Sequence, residues 1–242
     1  MNIVIINGSP KGARGNTYFM ADAFAQGARD AGAEIEIISL ASKNIKHCLG
    51  CYDCWIRTPG VCSINDDMAG VLEKIKTADV LGYATPLYVD NVTGLMKNFM
   101  DRTIPVLDPH FSKDSGGECI HSGVWGKAPP RILVISNSGF PEQSHFQVLK
   151  LLFRRIARNM GSEVVAEIYR PGGAILTSHP LILKPLIWKY KGLLKQAGRE
   201  FVQTGRISAQ TTAELEKPII SDETYIKGAN ESFDKAISRR GS

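Results

Sequence analysis

The 242-residue sequence predicts an α/β fold built on a parallel sheet. Three observations carry that prediction. Short apolar runs, unbroken rather than alternating, recur through residues 1–170, as strands buried on both faces require. Stretches with apolar residues at helical spacing lie between them. Clusters of turn-forming residues separate the two kinds of segment. Five strands alternating with helices imply right-handed crossovers and one shared sheet.

The elements follow in order. Ile3 to Ile6 is the first strand, closed by Asn7-Gly8-Ser9-Pro10. A helix then begins near Asn16-Thr17, both good N-caps, with an apolar stripe of Met20, Ala23, Phe24, Gly27 and Ala28. Ala31-Gly32 ends it, and Glu34 to Leu40 is the second strand. After a cysteine-rich loop, a helix from Asp66-Asp67 presents Met68, Val71, Leu72 and Ile75. Val80 to Ala84 is the third strand, and Thr93 caps a helix bearing Leu95, Met96, Phe99 and Met100. Residues 104–130 hold four prolines, four glycines and no regular period, so they are expected to form a long irregular insertion. Arg131 to Ser136 is the fourth strand, Phe146 to Met160 a helix, and Glu163 to Tyr169 the fifth strand. Leu186 to Thr204 is a strongly basic helix. Beyond Ile207 only a short helix, Glu231 to Ser238, is expected. The domain reading is therefore 1–205 as one α/β domain and 206–242 as a C-terminal extension.

Composition narrows the function. The chain is 43% hydrophobic and 22% charged, which excludes a disordered charged tail. No apolar run reaches the ~20 residues of a membrane span, because His179, Pro180, Lys184 and Pro185 break the best candidate. No secretory signal opens the chain, so a cytoplasmic location is expected. The net charge of +5 is concentrated in residues 146–206, where 11 Lys/Arg stand against 3 Asp/Glu. No nucleic-acid motif accompanies that excess, and neither nucleic acid nor membrane is an expected partner. A solvated basic face suffices, with some attraction for a phosphorylated reductant.

In such sheets ligands sit beyond the carboxyl ends of the strands. The loop after strand one, Gly8-Ser9-Pro10-Lys11-Gly12-Ala13-Arg14-Gly15-Asn16-Thr17, combines small residues, side-chain donors and a following helix N-terminus. That combination suits a phosphate. It is neither a Walker loop nor G-x-G-x-x-G. After strand three comes Thr85-Pro86-Leu87-Tyr88-Val89-Asp90-Asn91, and after strand four Ser136-Asn137-Ser138-Gly139-Phe140. Each joins backbone groups to an aromatic, as a flat heteroaromatic ring requires. No Ser-His-Asp or H-E-x-x-H pattern points to hydrolysis. Asp101 and Arg102, at a helix end, read as a structural ion pair. His110 and His121, in the insertion, lack a partner carboxylate in sequence.

These segments together resemble the flavodoxin-like NADPH-dependent FMN reductases: Gly8-Ser9-Pro10 with Gly15-Asn16-Thr17, Cys48-x-x-Cys51-x-x-Cys54, Thr85-Pro86-Leu87-Tyr88, and Asp101-Arg102. The cysteine stretch is similar to the iron–sulfur flavoproteins within that superfamily. The resemblance implies a three-layer sandwich with strand order 2-1-3-4-5, and FMN at the sheet edge. Ser9, Lys11, Asn16 and Thr17 would take the phosphate. Pro86, Leu87, Tyr88, Val89, Asn91, Asn137, Ser138 and Gly139 would hold the ring. Lys11 departs from the arginine common in the group, keeping the charge but losing bidentate geometry. The implied activity moves electrons from NAD(P)H, or from a reduced carrier such as ferredoxin, to a quinone, flavin or other small acceptor. No protein acid or base is expected to be essential. The alternative is an FMN-binding electron carrier without a small substrate, against which the length and basic charge count.

Four of the five cysteines, Cys48, Cys51, Cys54 and Cys62, form C-x2-C-x2-C-x7-C. Four thiolates suit a [4Fe–4S] cluster or zinc, and the compact first three favour the cluster. A Cys48–Cys51 dithiol or disulfide, or thiols packed beside the flavin, are the rival readings. Cys119 reads as an unremarkable thiol. The apolar content of the insertion (Ile104, Val106, Leu107, Phe111, Val124, Trp125) predicts burial against a second subunit, in a homodimer or homotetramer.

Overall fold

A computed structural model describes residues 1–123 and 128–239. Five parallel strands form the central sheet: β1 (Asn2–Asn7), β2 (Glu34–Ser39), β3 (Val80–Pro86), β6 (Arg131–Asn137) and β7 (Val164–Arg170). Their spatial order is β2-β1-β3-β6-β7. Counting only these strands it is 2-1-3-4-5, the expected flavodoxin-like order. The two extra numbers belong to a separate hairpin, β4 (Leu107–Lys113) and β5 (Cys119–Gly123).

β3 is buried along its whole length, as its apolar sequence requires of a central strand covered on both faces. On one face pack α1 (Asn16–Asp30) and α6 (Lys184–Thr204), whose Met20, Phe24, Leu194 and Phe201 meet Ile3, Ile5, Leu133 and Ile135. On the other pack α3 (Met68–Thr77), α4 (Gly94–Asp101) and α5 (Gln147–Asn159), with Leu72, Phe99 and Phe153 against Val4, Ile6, Tyr83 and Val134. Helices α1 and α6 cross very closely. A Cβ on Gly27 would stand 1.8 Å from the Lys195 carbonyl oxygen, and one on Gly198 would stand 2.1 Å from that of Phe24. Only glycine fits at either position.

The irregular insertion expected over 104–130 is instead a one-turn 3-10 helix followed by the β4–β5 hairpin. Pro109 in β4 hid it, but a strand paired on one side only tolerates proline at a free edge. Two anchors hold the hairpin. Its turn is ion-paired to α5, with Asp114 on Arg158 and Glu118 on Arg155 and Arg158. Trp55 Nε1 donates to the carbonyls of Ile104 and Leu107 at its base. Of the apolar residues expected at a subunit contact, two are covered within the chain itself. Val106 is buried and Leu107 packs on the chain's own core, leaving Phe111 exposed. Val124 and Trp125 lie outside the described residues.

The C-terminal segment also carries more structure than its polar composition predicts. α7 (Ala209–Glu216) and α8 (Asp222–Ser238) are each started by a serine, Ser208 and Ser221, whose hydroxyl accepts from the third backbone N–H beyond it. Leu215 and Tyr225 are buried. Arg170, at the end of β7, is itself buried and donates to the carbonyls of Leu215 and Lys217. No helix among the described residues is long and apolar enough to cross a membrane.

Candidate functional site

The loops after β1, β3 and β6 meet at one sheet edge and are tied pairwise. The Thr93 hydroxyl donates to the Gly8 carbonyl at 2.7 Å, joining the first loop to the second. The Leu87 N–H donates to the Asn137 carbonyl at 2.8 Å, joining the second to the third. Asn137 Nδ2 donates to the Thr17 hydroxyl at 2.7 Å, closing the ring of contacts between third and first. Gly8, Thr17, Thr85, Thr93, Asn137 and Ser138 are all buried. The three loops therefore form one rigid rim.

The first loop differs from expectation in one functional detail. Gly15, not Asn16 or Thr17, is the N-cap of α1, and no side chain caps that helix. The first-turn N–H groups of Asn16, Thr17 and Tyr18 find no acceptor among the described residues. Uncapped N–H groups at the positive end of a 15-residue helix favour negative charge beside them. Glycine at position 15 lets Ser9 pack against the helix start, because a Cβ there would stand 2.6 Å from Ser9 Oγ. Ser9 is buried at the base of the cradle while Lys11 is exposed at its edge. The Asn16 side chain accepts from Thr177.

In the second loop, Tyr88 and Asn91 exchange two backbone hydrogen bonds of 2.9 and 3.0 Å around Val89 and Asp90. Val89 and Asp90 both have left-handed backbones, with φ of 49° and 54°. A β-branched residue there is strained. Val89 is also 98% exposed, so no packing within the chain offsets the strain. The third loop presents Gly139 and the exposed ring of Phe140, which stacks on His145 at 4.8 Å. His145 Nδ1 lies 3.7 Å from Asp90 and Nε2 lies 3.3 Å from Glu142, so this histidine bridges the second and third loops. Sequence reasoning missed it, since nothing around His145 marks it as site-facing.

Cys48, Cys51, Cys54 and Cys62 line one small recess, with Asp101, Arg102, Ile104 and Pro105 as part of its wall. All four are free thiols. Burial, with the nearby Cys62, Cys51 and Cys48, pushes the Cys54 thiol above its usual range. Among the described residues no three His, Cys, Asp or Glu side chains are grouped tightly enough for a single metal ion. Arg102 does not pair with Asp101, which binds Lys97 instead. Fully buried, it makes a bidentate pair with Asp66 at 2.7 and 3.0 Å and donates to the Lys46 carbonyl at 2.6 Å. It thereby ties the end of α4 to both flanks of the cysteine loop. Burial alone would raise the Asp66 carboxyl, but hydrogen bonds from Arg102 and from the Lys46 and Met68 N–H groups hold it below the usual range. His110 does have a carboxylate partner, Asp108 at 2.8 Å, while the His121 ring lies against Trp55 and Phe111. Cys119, on β5, is exposed.

Residues 1–115 match the family model of the NADPH-dependent FMN reductases. The matched stretch is just under half of the chain. It takes in the first two loops, the four-cysteine loop and Arg102, while the third loop and the C-terminal helices lie beyond it. An iron–sulfur flavoprotein of Archaeoglobus fulgidus is 43% identical over 103 residues, which are 43% of this chain and 49% of that protein. One from Methanocaldococcus jannaschii is 36% identical over 106 residues, 44% of this chain and 53% of that protein. The chain thus spans about half the length of the curated relatives it matches. Among solved structures, the FMN-dependent NADH-azoreductase of Bacillus anthracis in complex with FMN has a TM-score of 0.58 at 16% identity, covering 83% of this chain and 99% of that one. The NAD(P)H:quinone oxidoreductase of Methanothermobacter marburgensis has a TM-score of 0.59 at 15% identity, covering 83% and 98%. The matched stretch therefore sits within a flavodoxin-like fold that extends well past residue 115.

Proposed function

We propose that this chain is an FMN-dependent oxidoreductase that takes electrons from NAD(P)H, or from a reduced carrier, and passes them to a small acceptor such as a quinone or free flavin. The observation that carries the reading is the uncapped start of α1, in a loop locked to both of its neighbours. The phosphate would lie on the N–H groups of Asn16, Thr17 and Tyr18, with Ser9 beneath it and Lys11 supplying charge. The ring would rest against Pro86, Leu87, Tyr88, Val89 and Asn91 on one side of the rim and Asn137, Ser138 and Gly139 on the other. FMN, when bound, supplies the hydride-accepting centre. The protein's part is to orient the ring, offer backbone hydrogen bonds to its edge and exclude water. Phe140 and His145 stand at the mouth, where a second planar molecule can stack.

The donor set of the recess, four thiols and no disulfide, fits a [4Fe–4S] cluster on Cys48, Cys51, Cys54 and Cys62. Such a cluster supplies one-electron transfer alongside two-electron flavin chemistry. Residues 1–205 would form the catalytic unit and 206–242 an extension packed on it, in a homo-oligomer whose mass a sizing experiment reads directly.

The first test is an absorption spectrum of protein purified without oxygen, with iron and acid-labile sulfide assayed on the same sample. Flavin bands with about four irons per chain are expected. A colourless protein that cannot be reconstituted with FMN overturns the reading. NAD(P)H oxidation with a quinone acceptor then separates an enzyme from a pure carrier.

A further inference from the structure

The third loop is supported from behind by the C-terminal extension. Three backbone hydrogen bonds pin it to the end of β7: Ser138 N–H to the Arg170 carbonyl at 3.1 Å, Gly173 N–H to Ser138 at 2.8 Å, and Gly172 N–H to Phe140 at 2.7 Å. The Gly139 carbonyl takes no part in these. Its partner is the hydroxyl of Tyr225, in the first turn of α8, which donates at 2.8 Å. Tyr225 is 7% exposed, and its ring lies against Gly172, where a Cβ would meet it at 3.2 Å. The extension cannot easily drift, because buried Arg170 grips the carbonyls of Leu215 and Lys217 while its guanidinium covers the Tyr190 ring at 5.0 Å.

Peptide planarity gives this contact a consequence. A trans peptide holds its C=O and N–H on opposite sides, and the chain contains no cis bond among the described residues. Tying the Gly139 carbonyl to α8 therefore turns the Phe140 N–H away from α8, where it meets no acceptor among the described residues.

We propose that Tyr225 is a positioning residue that fixes the Gly139–Phe140 peptide so that the Phe140 N–H is offered to the edge of the flavin ring. The inference rests on the flavin reading of the site and extends it to a helix far outside the FMN-reductase stretch. Without the Tyr225 hydroxyl the Gly139–Phe140 peptide keeps no hydrogen bond of its own among the described residues, and Gly139 has open space around its Cα and no side chain to restrain its turning.

The test compares wild-type protein with Tyr225→Phe, which keeps the ring packing and removes the hydroxyl, both the donor to Gly139 and the acceptor facing the Ala174 N–H. Apo-protein is titrated with FMN, and the bound flavin's visible absorption and circular dichroism are recorded. The variant is expected to bind FMN about three- to tenfold more weakly, the effect of one lost hydrogen bond, with a shifted flavin spectrum and an apo-protein melting point close to wild type. In wild-type protein, amide exchange at Phe140 should slow when FMN saturates the site. Unchanged affinity and spectrum in Tyr225→Phe, or a Phe140 amide indifferent to FMN, overturns the role of Tyr225. Failure of wild-type protein to take up FMN at all removes the underlying reading before any variant is compared.

Discussion

Asn137 is the side chain on which the rim of the site depends most directly. It is buried, donates to Thr17 at 2.7 Å and accepts from Leu87 through its backbone. Asn137→Ala leaves the Thr17 hydroxyl without that donor and opens a gap between the first and third loops. We expect a loss of ~1–3 kcal/mol in stability by thermal melt, and FMN binding weakened at least tenfold by titration. Val89 is the opposite case. Its strained φ of 49° and almost complete exposure mean that the fold gains nothing from its side chain. Val89→Gly is expected to raise apo-protein stability by up to ~1 kcal/mol through strain relief, while weakening FMN binding if the side chain covers the ring. A melting point below wild type would contradict the first half of that expectation. Asp66 balances the buried charge of Arg102. Asp66→Asn should cost ~3–5 kcal/mol, since removing one partner strands the other. Its carboxyl is depressed in the folded state, so its contribution is complete above pH 3.8, the unfolded value, and is lost as pH falls through the lower folded value.

At the scale of elements, two contacts decide how the layers hold together. The α1–α6 crossing depends on Gly27 and Gly198, each facing a carbonyl oxygen of the other helix. Gly27→Ala would force the helices apart, and we expect a loss of ~3 kcal/mol or more, read as a lowered denaturation midpoint. An unchanged midpoint would mean that the crossing is looser than the geometry indicates. The second contact starts α7. Glu200 of α6 accepts from Gln196, from the Ser208 N–H and from the Thr211 hydroxyl. Burial pushes its carboxyl up, but those donors prevail and bring it down from 4.5 to about 2. The sign follows directly: its stabilising effect is complete above pH 4.5 and is lost as pH falls towards 2. Melts of wild-type protein and Glu200→Ala should therefore converge as pH is lowered through that window. Both contacts were invisible in sequence. Gly27 could be read as part of an apolar stripe, but not as facing a backbone oxygen on a helix more than 160 residues away.

At the scale of the whole molecule, binding at the rim should stabilise the entire domain, because its loops link β1, β3 and β6 at the centre of the sheet. Saturating FMN at about a hundred times its dissociation constant should add ~2.7 kcal/mol to the folded state, seen as a rise in melting temperature. A melting point indifferent to FMN would place flavin binding elsewhere or nowhere. The hairpin and the C-terminal helices belong to this scale too. Each is held by long-range ion pairs or hydrogen bonds in addition to a few buried or part-buried apolar side chains such as Leu107, Leu215 and Tyr225.

What the sequence by itself determined were the elements with strong local signals. The parallel strands are legible because burial on both faces demands unbroken apolar runs, and helices α1, α3, α4 and α5 because one-sided burial demands helical spacing. That the first loop runs into a helix N-terminus and that the four cysteines come together was legible for the same reason, since residue type and spacing are local. The tertiary structure alone decided the rest. It set Gly15 rather than Asn16 as the cap of α1, turned an apparent irregular insertion into a hairpin, gave Arg102 to Asp66 rather than Asp101, and brought Tyr225 behind Gly139. Each of these is a contact between residues close in space but set by packing, and no local propensity encodes such a contact until the layers have closed.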